Sequence, residues 1–243
     1  MLACAKNSKR LASHKVSFAS RKSGKMFFAR SAQIYFFIIA LSILIVAWVW
    51  PLPHIASDLF TAHMVQHLLT MNVAALLICL AVKPSHRLFL IPLSTVTTIQ
   101  MAAFWFWHTP AVFSASHHHF LWSPLMKVSL FGVALLFWTV ILDLRANSPW
   151  SRIFALLITA KVFCLLGAVF VFTRRPLYAT HGNPESWGIT AIEDQQLAGL
   201  VMVSACALVY VAAAIAMFAN WLYDRKIAPR NFPHGFADET PRV

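Results

Sequence analysis

Apolar residues follow one another in six long runs along this chain, separated by short polar connections. Each run holds about 20 residues or more, the length that an α-helix needs to cross the hydrocarbon core of a bilayer. The pattern therefore predicts an all-α fold, a polytopic membrane helix bundle with about six transmembrane helices. The spans are expected near residues 31–50, 59–82, 88–107, 121–142, 152–172 and 195–222.

The polar ends of the chain predict a division into three parts. Residues 1–30 contain eight Lys and Arg residues and no acid, a pattern typical of a basic tail beside a membrane and also of an organelle transit peptide. Residues 31–222 form the predicted six-helix transmembrane domain, and residues 223–243 form a second tail. The first apolar run is too long for the core of a signal peptide, so we expect this helix to be retained.

Composition favours a membrane protein over a soluble one. Of the 243 residues, 59% are hydrophobic and only 12% are charged. The formal net charge of +12 would suit nucleic acid in a soluble protein, but the sequence shows no zinc-finger, recognition-helix or RNA-binding motif. The basic residues are instead collected in the first tail and in short connections, where the lipid surface is their expected counterpart.

The distribution of Lys and Arg predicts the orientation in the membrane. With the N-terminus in the cytoplasm, the inside segments hold sixteen Lys and Arg residues and the outside loops hold only Arg174 and Arg175. By the positive-inside rule, both termini are therefore expected to be cytoplasmic. On this topology eight of the eleven histidines fall on the outer side, although histidine was not used to set it.

Two histidines stand one helical turn apart in the second span. At 100° per residue, His63 and His67 lie on one stripe with Gln66, Thr70 and Met71. Lipid cannot satisfy such a stripe, so we expect it to face the bundle interior or a wet cavity. Two imidazoles four residues apart can both reach one ion. The segment HMVQH lacks the glutamate of the HExxH zinc-protease motif.

Other candidate ligands lie near the outer ends of neighbouring spans. Imidazole and thioether groups without a pair of thiolates suit copper, particularly Cu(I), and the four cysteines show no paired spacing. Met101 and His108 lie seven residues apart near the end of the third span, and Met202 follows Asp194 by two helical turns in the sixth. The predicted metal ligands are His63, His67, His108, Met71, Met101 and Met202.

Several of these residues also have structural explanations that the sequence leaves open. The segment 190–193 is a capping box before the last span, and Asp194 in the first turn favours the helix dipole. Each acid therefore suits capping as well as function. An intramembrane histidine often forms hydrogen bonds in the core, and methionines often only pack. The run His117, His118 and His119, in a predicted loop, is explained equally by exposure to solvent.

Lys161 lies near the middle of the fifth predicted span. A charged side chain at that depth is costly without a partner. We expect this partner to be Asp194 or Glu193.

Three segments together resemble the CtaG family of cytochrome c oxidase assembly factors: HMVQHLL in the second span, WFWHTP at the end of the third and EDQQLAGLVM opening the sixth. LFWTVILD and LYATHGNPESWGIT fit the same pattern, so the resemblance covers residues 54–225 and leaves out the first tail. Members of that family often have one span more than the six expected here, and the HHH run is not part of their motif. The positions that match are His63, His67, His108, Glu193, Asp194, Gln195, Gln196 and Met202.

The resemblance implies a multi-pass protein of the bacterial inner membrane that helps to assemble an active haem–copper oxidase of the caa3 type. We expect a copper-binding metallochaperone, not an enzyme, that holds Cu(I) near the outer membrane face and passes it to oxidase subunits or exchanges it with their copper donors. The residues expected to support the site are Gln66, Glu193, Asp194, Gln195, Gln196 and Lys161.

Three alternative functions stay open. A haem-binding membrane cytochrome would use histidines, but two on adjacent turns of one helix cannot clamp a porphyrin from both sides. A copper transporter would need ligands across the membrane, and the inner halves of the spans carry few. A membrane hydrolase ranks last because the sequence offers neither a nucleophile nor an HExxH motif.

Overall fold

The structure, a computed structural model, describes residues 31–82, 91–118, 121–143, 147–178 and 182–227. Within these ranges the backbone is helical apart from short connections and contains no strand, which confirms the all-α prediction. The first predicted tail and residues 228–243 of the second lie outside the described residues, as do residues 83–90.

Nine α-helices follow one another in the described part of the chain. They are α1 (31–48), α2 (Leu52–Asp58), α3 (Phe60–Leu68), α4 (Ala75–Val82), α5 (Leu93–Trp107), α6 (Pro110–His118), α7 (Trp122–Leu142), α8 (Pro149–Phe172) and α9 (Ala191–Ile227). A π-helical segment, Leu69–Ala74, joins α3 to α4 without a break, and a 3₁₀-helix, Pro184–Trp187, precedes α9.

Five helical segments of the described chain are long and apolar enough to cross a membrane, which agrees roughly with the expected six. They are Ser31–Asp58, Phe60–Val82, Trp122–Leu142, Pro149–Phe172 and Ala191–Tyr223. The third predicted span corresponds to α5, which has 15 residues. A helix of that length extends about 22 Å, less than the hydrocarbon thickness of roughly 30 Å.

Prolines and one serine set where several helices begin. Pro149 opens α8, and the hydroxyl of Ser148 before it accepts a hydrogen bond from the Ser151 backbone N–H at 3.2 Å. Pro110 is the first residue of α6, and Pro92 precedes α5. Proline has no N–H to leave unpaired in a first turn, and its backbone angle is already helical. The helix starts are therefore encoded locally.

The most extensive helix packing is that of α8 against α9; α3 also contacts α9, and α5 contacts both α8 and α7. A Cβ on Gly199 would lie 2.6 Å from the Gly167 carbonyl oxygen, so only glycine fits at this crossing. Small residues near the start of α9 therefore admit a close neighbour. By contrast, α1 is peripheral, with most of its apolar side chains exposed.

Four helix ends meet at one end of the bundle. Hydrogen bonds join the first turn of α9 to the first turn of α3 through Asp194 and Phe60, and to the end of α8 through Gln195 and Phe170. The connection after α8 reaches the end of α5 through a bond from Tyr178 to His108. We call this region the histidine end, because His63, His67 and His108 lie there.

Candidate metal site

Three buried histidines meet at the histidine end. The Nε2 atoms of His63 and His67 lie 3.0 Å apart and share one hydrogen bond. The rings of His67 and His108 have centroids 5.6 Å apart. Only 5%, 3% and 3% of the surfaces of His63, His67 and His108 are exposed. The imidazole pair predicted on one helix therefore has a third imidazole beside it, contributed by the end of α5.

His108 is anchored by one ring nitrogen and free at the other. Its Nδ1 lies 2.7 Å from the Phe104 carbonyl oxygen and donates to it, whereas its Nε2 is buried without a hydrogen-bond partner among the described residues. This residue lies beyond the end of α5, and burial lowers its pKa to about 4. The ring is therefore neutral at pH 7. A neutral imidazole held through one nitrogen is the form that ligates a metal.

Three methionines help to line a small cavity next to the histidines. Met64, Met71 and Met202 line this cavity with His67, and its volume is about 10 Å³. The three methionines are 1%, 2% and 0% exposed. A space of that size admits about one water-sized occupant. Leu68, Asn72, Phe104 and Phe163 complete the lining, so the cavity is a small and mostly apolar space with one imidazole and three thioether side chains in its wall.

Met64 was not among the predicted ligands, because in the sequence it appeared only as the residue that breaks an HExxH motif. Its signal was its distance from Met71, seven residues further on, which is about two turns along the same side of a helix. Met101 was predicted and does not join this group. It lines a separate groove of about 880 Å³ between α5 and α8, with Thr97 and Trp150.

The π-helical segment places Met71 and Asn72 beside the cavity. Trp138 Nε1 donates to the Met71 carbonyl oxygen at 3.0 Å. The Tyr210 hydroxyl donates to Asn72 Oδ1 at 3.0 Å and accepts from Gln100 Nε2 at 3.0 Å. A π-bulge disturbs the regular α-helical bonding and occurs often at functional sites. The sequence-based site did not include Asn72 and Tyr210, although each is a polar group inside an apolar span.

The polar stripe predicted on the second span is buried, as expected, but it divides between two neighbours. Gln66 Nε2 donates to the Ala47 carbonyl oxygen of α1. The Thr70 hydroxyl donates to the Gln66 carbonyl oxygen at 2.7 Å and accepts from Trp48 Nε1 at 3.3 Å. Gln66 and Thr70 therefore attach α1 to this span, whereas His67 and Met71 face the cavity.

The Asp194 side chain belongs to α9 but caps the N-terminus of α3. Its carboxylate oxygens accept hydrogen bonds from the backbone N–H groups of Phe60 at 2.6 Å and Thr61 at 3.0 Å. The Thr61 hydroxyl returns a bond to the Asp194 carbonyl oxygen at 2.8 Å. A carboxylate at a helix N-terminus satisfies free N–H groups and favours the dipole. This contact fixes the turn of α3 that carries His63.

Glu193 forms the capping box that the sequence indicated. Its carboxylate accepts from the Thr190 N–H at 2.7 Å and from the Thr190 hydroxyl at 2.8 Å, and its own N–H donates to Thr190 Oγ1 at 3.3 Å. The two acids thus cap two different helices. Neither is placed beside Lys161, which is exposed on the outside of α8, eleven residues before the end of that helix.

The glutamines that follow belong to the same connection. Gln195 Oε1 accepts from the Leu177 N–H at 2.6 Å, and its Nε2 donates to the Phe170 carbonyl oxygen at 3.3 Å. Gln195 therefore ties the segment after α8 to the start of α9, and Gln196 is half-buried one position later.

Aromatic rings cover the histidines. Phe60 stacks on Tyr178 with ring centroids 4.6 Å apart, and Phe113 contacts the His63 ring edge-on at 5.2 Å. The Tyr178 hydroxyl donates to the His108 carbonyl oxygen. Burial raises the pKa of this hydroxyl, so it stays protonated and remains a donor. The cover separates the imidazoles from water at this end of the bundle.

The other histidines do not join the site in the described residues. His54 is exposed on α2. His117 and His118 were expected in a loop, but their backbone belongs to α6, while their side chains lie outside the described part. His119 and His181 also lie outside it.

The side chains near the cavity include imidazole and thioether groups, without a pair of thiolates. In the part of the chain that the structure describes, no three His, Cys, Asp or Glu side chains form a group that could hold a metal ion, and this includes His63, His67 and His108. Structural zinc needs four such ligands and catalytic zinc three. Imidazole with thioether is a set that Cu(I) accepts.

Comparison with known families and proteins gives a family match. A family model described as cytochrome c oxidase caa3 assembly factor (Caa3_CtaG) matches residues 17–85 and 82–224. This match extends further toward the N-terminus than the resemblance seen in the sequence, and includes α1 and residues 17–30. The comparisons with curated proteins and with solved structures find no match.

Proposed function

Because the chain belongs to the family of cytochrome c oxidase caa3 assembly factors, we propose that it aids the assembly of a haem–copper oxidase by binding Cu(I) at the histidine end and delivering it to the unmetallated enzyme. The family supplies the assembly role and the membrane setting. One observation carries the copper proposal: His67, Met64, Met71 and Met202 are four of the eight residues that line a cavity of about 10 Å³.

The two ligand types suggest how the ion is held and released. Thioethers stabilise Cu(I) over harder ions, and a buried site lined by them keeps the ion from water. The His63 imidazole contacts Phe113 of the aromatic cover, and the His108 imidazole lies beside His67, which lines the cavity. In the proposal the ion exchanges stepwise between sulfur and imidazole. Copper is cargo here, and no covalent bond of a substrate is made or broken, so the proposed role is not enzymatic.

The arrangement beyond the cavity favours exchange at one end over passage across the membrane. Asn72, Tyr210 and Gln100 lie next along the interior, and their side chains bond to one another. Among these three side chains only Gln100 Oε1 is buried without a hydrogen-bond partner, and a single amide oxygen is a poor ligand for Cu(I). We propose that the histidine end faces the outside of a bacterial inner membrane and that both termini are cytoplasmic, as the Lys and Arg distribution indicates.

Metal analysis of purified protein tests the proposal. We expect the wild type to bind Cu(I) stoichiometrically and the double variant His63→Ala, His67→Ala to lose it. The matched control is His54→Ala, since His54 is exposed on α2. An unfolding curve of each variant shows whether the loss is local. Unchanged copper content in a folded double variant would contradict the proposal, and a haem absorption band in the wild type would favour the cytochrome instead.

A further inference from the structure

A single charged side chain lies in the middle of the outward face of α8. The exposed side chains of this helix recur every three or four positions and form one stripe, the α8 face. Its members include Trp150, Phe154, Leu157, Lys161, Leu165 and Phe172. All of these except Lys161 are apolar. Twelve residues of α8 precede Lys161 and eleven follow it, so either end of the helix is about 16–18 Å away.

Neither lipid nor this chain supplies a counter-charge at that depth. A Lys side chain can reach the membrane surface only from near a helix end, and a charge in mid-membrane is costly without a partner. Asp194 and Glu193 lie in the first turn of α9, beside the end of α8, where each is engaged in capping.

A second copy of the chain offers no better partner. Each of the eight acids of the chain lies at the end of a predicted span, in a connection or in the C-terminal tail. None is available to meet Lys161 in the middle of the bilayer.

The surface beside Lys161 is shaped for helix packing. Trp150 and Phe154 border the groove of about 880 Å³ between α5 and α8, which Ser94, Thr98 and Ser151 also line. Small polar side chains of this kind are enriched where transmembrane helices pack together. The part of the α8 face that precedes Lys161 in the chain is therefore concave and partly polar.

From this arrangement we propose that the α8 face docks a transmembrane helix of a different protein, which carries an Asp or Glu at mid-membrane depth to pair with Lys161. The oxidase that the chain helps to assemble is the natural source of such a helix. The pairing itself does not depend on copper binding, because Lys161 lies outside the cavity and the histidine end.

A binding measurement with a defined probe tests the pairing. The full-length protein in lipid nanodiscs is titrated with a labelled synthetic helix of about 21 apolar residues that carries one Asp at its centre, and with the same helix carrying Leu there. We expect the Asp helix to bind roughly tenfold more tightly. Lys161→Met should remove this preference and Lys161→Arg should keep it. The matched control is Lys127→Met on α7, which should also keep it.

Crosslinking in native membranes then identifies the partner. A photoreactive residue at position 157 or 165 should form an adduct with another membrane protein, and Lys161→Met should reduce that adduct while copper content stays at the wild-type level. Equal binding of the two probe helices by the wild type, or adducts formed only with lipid or with a second copy, would overturn the proposal. Loss of copper binding in His63→Ala, His67→Ala leaves these results unchanged, so the two proposals fail separately.

Discussion

The histidine end and the α8 face both carry polar side chains within apolar helices. The polar side chains are enclosed by the chain at the histidine end and exposed on the α8 face. At the histidine end, Asp194 and Gln195 are bonded within the chain, and the imidazoles are buried against one another. On the α8 face, Lys161 is exposed at mid-helix, and the described residues place no acid beside it. A polar group enclosed by its own chain shapes a site for a small ligand, whereas one that points outward requires a second protein.

The largest effect should come from Asp194→Ala, which breaks the histidine end. The substitution leaves the Phe60 and Thr61 N–H groups without their acceptors, and we expect a loss of about 2–3 kcal/mol in the free energy of unfolding. Copper affinity should fall as well, because α3 carries His63 and His67. Unfolding of the detergent-purified protein and copper titration measure the two effects.

A conservative variant and a control test whether the effect comes from the cap. Asp194→Asn keeps one oxygen acceptor and should lose less stability, while Asp58→Ala, at the same end of the bundle, should change copper affinity little. If Asp194→Ala matched the wild type in both measurements, the cap would not position the site.

Replacement of two methionines by leucine should have the second largest effect. It should lower the affinity for Cu(I) and leave folding nearly unchanged. In Met71→Leu, Met202→Leu the shape of the core is nearly kept, so stability should change by less than about 1.5 kcal/mol. We expect Cu(I) affinity, measured by competition with a chromophoric chelator without oxygen, to fall roughly tenfold or more. Met101→Leu is the control, since Met101 lines the separate groove. A larger loss in the Met101 variant would place the ion elsewhere.

Glu193→Gln should change stability and copper affinity less than Asp194→Ala or the double methionine variant does. Glutamine can keep the reciprocal bonds of the capping box, while the negative charge at the start of α9 is lost. The unfolding midpoint should fall less than in Asp194→Asn, and copper affinity should stay unchanged. A loss of copper in this variant would show that Glu193 is a ligand and not only a cap.

Lys161→Met should have the smallest effect on the isolated protein. The side chain is exposed, so neither the unfolding midpoint nor copper affinity should fall. Its consequence should be confined to oxidase assembly in cells, measured as oxidase activity per unit of this protein. Destabilised purified protein would mean that Lys161 has a structural role within the chain.

Much of the fold and part of the site followed from local sequence. Apolar length and the Thr190–Glu193 capping box depend on residues within a few positions of one another. They predicted five of the six expected spans and the cap correctly, whereas the third expected span is the 15-residue helix α5. The placement of His63 beside His67 is also local, since one helical turn separates them. Met64 in the cavity, and Met101 outside it, required knowledge of how α3 and α5 are rotated against their neighbours.

By itself, then, the sequence determined that the chain is a bundle of membrane helices with a pair of imidazoles on one of them, because apolar length and helical periodicity are properties of each segment alone. Only the tertiary structure decided that Asp194 caps α3, 134 positions away at Phe60, and that Lys161 faces outward. Those outcomes depend on which helix sides meet, and the energy of that choice comes from contacts between segments that are distant in the chain. The same packing brought His108 to the imidazole pair and three methionines to one cavity.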